Sequence, residues 1–141
     1  MRHFALLMFC ILTGMSGLAG QSIASAQEAQ AATDKLVAKY TMTPDQAKVM
    51  YTIQLRKLRN QSEIASLKTS NPALYRQKVQ NVQSGTLGSI RHLLTTKEQI
   101  KLYDKTQHDV RVLRVEKRKE LTVQGASKDA IENAMLDVFA E

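Results

Sequence analysis

The side chains able to hold a transition metal or attack a carbonyl are few: one cysteine, Cys10, and three histidines, His3, His92 and His108. A tetrahedral zinc site draws three or four ligands from His, Cys and carboxylate groups. His92 and His108 fall on different predicted helices, and neither has a second histidine at helical spacing. Asp104 and His108 form an i,i+4 pair, enough for a weak site only. The expectation is no metal and no cofactor. Nucleophilic and acid–base chemistry lack carriers too, since there is no G-x-S-x-G elbow and no recognisable carboxylate pair. Glu28, Asp34 and Glu141 read as solvated or helix-end charges. No G-x-x-x-x-G-K-[ST] loop is present to cradle a nucleotide. Gly85-Thr86-Leu87-Gly88 has the outline of a nucleic-acid G-x-x-G loop but lacks the strands and basic residues around it. Asn60-Gln61-Ser62 meets the glycosylation sequon inside a predicted helix. The chain reads as a non-enzyme with no nucleic-acid partner, acting through its surfaces.

Those surfaces are basic. Lys and Arg number 20 against 13 Asp and Glu, a formal net charge of +7. Lys48, Arg56, Lys57 and Arg59 crowd one stretch, interleaved with apolar Met50, Ile53, Leu55 and Leu58. Arg111, Arg114, Arg118 and Lys119, with Lys117, form a denser cluster opposed only by Glu116. Cations bordering apolar side chains can draw in acidic, partly unfolded chains over a Debye length, about 8 Å at physiological salt. These twelve residues, Lys117 aside, are the candidate client-binding set.

The elements that must position them are helical. With 141 residues, 43% of them hydrophobic, the chain suits one domain. Two prolines and six glycines are too few for the turns of a sandwich or barrel. Arg2 and His3, the apolar residues 4–12 and Ala24-Ser25-Ala26 match a secretory signal peptide, cut after Ala26. The apolar stretch is short of the roughly 20 residues that span a bilayer, so no stable membrane anchor is expected. Cys10 follows Leu7-Met8-Phe9, too bulky for a lipoprotein signal. Residues 27–141 would then form a single cysteine-free exported domain whose stability comes from helix packing, a partner subunit or both.

Within it, residues 27–33 read as a frayed lead-in and 34–40 as a short helix. Thr43-Pro44-Asp45-Gln46 starts a long helix expected to reach Lys68, and Asn71-Pro72 caps a second ending near Leu94. The second carries a stripe of Tyr75, Val79, Val82, Thr86, Ile90 and Leu93, with Gly85 and Gly88 marking close packing or a bend. Thr96-Lys97-Glu98-Gln99 starts a third, with Leu102, Tyr103, Val110, Leu113 and Leu121 on one side. Gly125 stops it, Ser127 caps the next, and residues 130–139 form a last short helix. On the helix after Thr43, apolar side chains span an arc that needs neighbours on two sides. It is the centre of a bundle, or one edge lies in a dimer interface or open groove.

The two capped starts share T-x-acid-Q-x-K-apolar, offset by 53 residues between Thr43 and Thr96. Met42-Thr43-Pro44-Asp45-Gln46 and Thr95-Thr96-Lys97-Glu98-Gln99 resemble the repeated L-T-x-x-Q of the periplasmic Spy/CpxP family, with methionine and threonine where that family has leucine. The resemblance makes Thr43, Gln46, Thr96 and Gln99 the motif residues. It implies an all-α fold of three long helices plus short terminal ones, in a thin curved bundle that forms a homodimer. It also implies an ATP-independent periplasmic chaperone for unfolded or misfolded envelope proteins. Other relatives are stress-response proteins binding one sensor domain, or zinc-handling metal-resistance proteins.

Overall fold

The computed structural model describes residues 16–141, with side chains from Ser25 onward. The described chain is all-α: α1 (Ser16–Tyr40), α2 (Pro44–Ile64), α3 (Leu67–Ser70), α4 (Pro72–Leu93), α5 (Lys97–Val123) and α6 (Lys128–Asp137). The apolar residues 4–12 and Cys10 of the expected leader lie outside the described residues.

Local chemistry sets most of the boundaries. Thr43 and Thr96 each close a capping box, their hydroxyls accepting from the amides of Gln46 and Gln99 while those side chains reach back. The Asn71 side chain accepts from the Leu74 amide, and Ser127 from Ala130. Gly125 takes φ +73°. There it lets its own N–H and that of Ala126 return to the carbonyls of Thr122 and Leu121, a Schellman closure. Thr41 ends α1 in the same left-handed region, at φ 49° and without glycine's freedom.

Three expectations are corrected. Residues 27–33 are not frayed, because α1 is one helix from Ser16 to Tyr40, with Ala29 and Thr33 buried along it. The helix after Thr43 stops at Ile64, and α3 is a separate single turn. Gly85 and Gly88 do not mark close packing, since a methyl group at either would meet nothing within 4 Å.

The main packing runs α1 on α2 and α2 on α4, with α6 bridging α4 and α5. Two flanks of α2 are thus covered from within the chain, by α1 and α4, although Val49 of its wide apolar arc stays 48% exposed. Leu36, Tyr40, Met50, Ile53, Ile90, Leu94 and Tyr103 form the core cluster. Every buried side chain described lies beyond Ala26, the first being Ala29. On α5 only Gln99, Tyr103 and Val110 are buried. Leu102 and Leu113 of its expected stripe face solvent.

Burial raises the phenol pKa of Tyr40 and of Tyr103 above 10.0. Thr106 beside Tyr40 and the Arg91 cation near Tyr103 partly oppose this. A raised folded-state pKa gives stability that is whole below the unfolded value near 10 and lost as pH rises through the folded one. Lys39 has the opposite sign, its pKa lowered by burial against the pull of Glu141. Melting temperature should therefore fall as pH climbs from about 9 to about 11, more gently in a Tyr40→Phe/Tyr103→Phe variant, as thermal melts across that range would read.

Candidate functional site

The two motifs meet. Gln46 and Gln99, both buried, hydrogen-bond side chain to side chain in both directions, Gln46 Nε2 to Gln99 Oε1 at 3.3 Å and Gln99 Nε2 to Gln46 Oε1 at 3.1 Å. Gln46 also donates to the Leu93 carbonyl at 2.8 Å, and Gln99 to that of Tyr40 at 3.2 Å. Leu93 and Tyr40 are the last residues of α4 and α1. Each motif glutamine therefore boxes the start of its own helix and caps a free carbonyl at the end of a helix in the other half. The offset of 53 residues recurs beyond the motif. Thr33 and Thr86 are both buried and donate to the carbonyls four residues back, Ala29 at 2.7 Å and Val82 at 2.8 Å. Reciprocal contacts of this kind relate two similar halves, α1–α2 and α4–α5. The four motif residues thus serve folding, and their buried glutamines are not presented to a partner.

The candidate client-binding residues separate into three groups. Met50 and Ile53 are core residues, 0% and 5% exposed, and Leu55 and Leu58 are half-buried. The expectation that Met50 and Ile53 line a binding surface is corrected by their packing in the central cluster. Several cations are engaged within the chain: Lys48 with Asp45, Arg59 with Glu63, Arg118 with Glu132, and Arg56 with the Ser89 hydroxyl at 2.7 Å. Lys57 and Arg114 bind residues 138–141. Arg111 and Lys119 stand exposed without an ion pair among the described residues.

The outer half of α5, which carries the denser basic cluster, also exposes Val112, Val115 and Val123, which the sequence pattern did not single out. Beyond Val110 it has no buried residue. Val112, Leu113, Val115 and Val123 are 41%, 54%, 69% and 81% exposed, interleaved with Arg111, Lys117, Arg118 and Lys119. Val115 and Arg118 border an open cleft of about 400 Å³ with Leu87, Met135 and Phe139. Of the stripe expected on α5 only Tyr103 and Val110 are buried, so its covered face is narrower than the sequence pattern indicates.

Glu141, read from sequence as an ordinary solvated charge, is a hub instead. Its carboxylate accepts from Lys57 at 2.8 and 3.0 Å and from Gln54 at 3.0 Å, and its main-chain oxygen accepts from Lys39. Lys57 and Glu141 are 15% and 11% exposed at their side chains. Gln107 donates to the Ala140 carbonyl at 3.1 Å and Arg114 to that of Val138 at 2.8 Å. These contacts span over eighty residues of sequence for Lys57 and Gln54, beyond the reach of any local signal.

His92 and His108 are both exposed, and among the described residues no group of three or more His, Cys, Asp or Glu could hold a metal ion. No described helix is long and apolar enough to cross a membrane. The chain matches no protein-family model, no curated protein and no solved structure.

Proposed function

We propose that this chain is an exported, ATP-independent chaperone of the Spy/CpxP kind, which holds unfolded or misfolded envelope proteins on the outer half of α5. One observation carries the reading: four exposed apolar side chains, Val112, Leu113, Val115 and Val123, set among Arg111, Lys117, Arg118 and Lys119 on a helix with no buried residue beyond Val110. Exposed apolar side chains set among charges are a feature of interaction sites. The cations attract acidic segments at range and the valines hold them through shallow contacts, so release needs no nucleotide. Export is supported by the leader pattern, and the first buried side chain among those described is Ala29, beyond the expected cut after Ala26. Dimerisation would widen this face and belongs to the same reading.

The test is aggregation suppression by residues 27–141 on several model clients at about 0.15 M and about 1 M salt, which cuts the screening length from roughly 8 Å to roughly 3 Å. Protection at stoichiometric levels that weakens at high salt, and falls about threefold in Val115→Ser/Val123→Ser, is the expected result. Saturable binding to a single sensor domain with no client protected would favour the stress-regulatory reading instead.

A further inference from the structure

Residues 138–141 leave α6 and lie in a groove whose walls come from α1, α2 and α5. Among the described residues no helix fills this gap, because the principal packing of α5 is against α6 and not against α1 or α2. The segment is held as a bound peptide would be. Gln107 and Arg114 grip its carbonyls from one wall, while Gln54 and Lys57 take the Glu141 carboxylate from the other. Backbone contacts give affinity without regard to sequence, and the lysine gives a preference for acid. The groove also has unused hydrogen-bonding capacity beside its occupant: the Gln54 Oε1, on a side chain with no exposure, has no partner. A cleft of about 470 Å³ runs on beside Phe139, Ala140 and Glu141 along α1, past Lys35 and Lys39, so the groove is longer than the four residues in it.

We propose that this groove is a recognition site for an extended, acidic segment of another polypeptide, and that residues 138–141 occupy it as a displaceable internal ligand. The segment it fits has an aromatic residue followed, after one small residue, by a carboxylate that meets Lys57. This site meets the outer half of α5 at Arg114, and its occupancy is read without any aggregation assay. An internal competitor lowers apparent affinity by the fraction of molecules in which the groove is open.

The test uses two fluorescent peptides, Asp-Val-Phe-Ala-Glu and Asp-Val-Phe-Ala-Lys, titrated by anisotropy into the whole chain and its variants. Glu141→Lys frees the groove and should tighten binding of the acidic peptide about tenfold over the wild type. Lys57→Glu should reverse the preference, so that the lysine peptide binds better than the acidic one. Lys57→Glu/Glu141→Lys restores an internal pair and should return both peptides to weak binding. Circular dichroism confirms that each variant keeps its helices, and the double exchange remains informative if a single variant unfolds. Equal affinity of Glu141→Lys and wild type for the acidic peptide overturns the proposal. So does a wild-type dimer that the acidic peptide dissociates, since the occupant would then be the strap of a second copy.

Discussion

Gln99→Ala should lower the free energy of unfolding by about 3 kcal/mol, more than any other substitution in the two motifs apart from its counterpart Gln46→Ala. The Gln99 side chain accepts from the amides of Thr95 and Thr96 at 3.0 and 3.2 Å and donates to the Tyr40 carbonyl at 3.2 Å, besides pairing with Gln46. Truncation strips the buried Gln46 side chain and the Tyr40 carbonyl of a partner and unties the part-buried Thr95 and Thr96 amides, and each stranded buried donor or acceptor costs about 1–3 kcal/mol. Thr96→Ala, by contrast, loses one cap and should cost about 1 kcal/mol. Because Gln46 and Gln99 share two hydrogen bonds, the double variant should cost less than the two single ones together, by about 1 kcal/mol. Urea unfolding of the three variants with unchanged slopes supplies the cycle. Additivity to within about 0.3 kcal/mol would mean that the two boxes act separately.

Ile90→Ala should cost about 2–5 kcal/mol and lower the melting temperature by at least 8 °C or so, since each kcal/mol is worth about 4 °C in a domain of this size. Ile90 has no exposure and lies in the cluster with Leu36, Tyr40, Met50, Ile53, Leu94 and Tyr103, where α1, α2, α4 and α5 all contribute. A cavity there cannot collapse without moving several helices at once. Val115→Ala removes a side chain 69% exposed and should change stability by less than about 0.5 kcal/mol. The contrast, read in one set of thermal melts, separates core from surface. A large loss in Val115→Ala would mean that this valine is covered in solution.

Capping chemistry is local, which is why the starts of α2, α4, α5 and α6 and the end of α5 at Gly125 are legible in the sequence alone. The unbroken α1 is not, because residues 27–33 are Ala- and Gln-rich with no apolar stripe, and their order comes from packing on α2. The arc on α2 shows how many neighbours that helix needs but not whose they are, so Met50 and Ile53 could be placed at a surface until α1 and α4 covered them. Lys57 carried a detectable signal as a member of a basic cluster, but its partner, Glu141, did not. An acid outside any periodic run gives no hint of a groove built from three distant helices.

The glutamine pair also bears on how the two halves came to share one polypeptide. Contacts that are unchanged when the halves are exchanged are those that two identical helical hairpins would form on meeting about a twofold axis. Tethering the hairpins through α3 turns a bimolecular encounter into an intramolecular one, so this seam holds at any dilution. Elsewhere the halves differ: position 50 carries methionine where position 103 carries tyrosine, and only α5 extends into an exposed cationic arm.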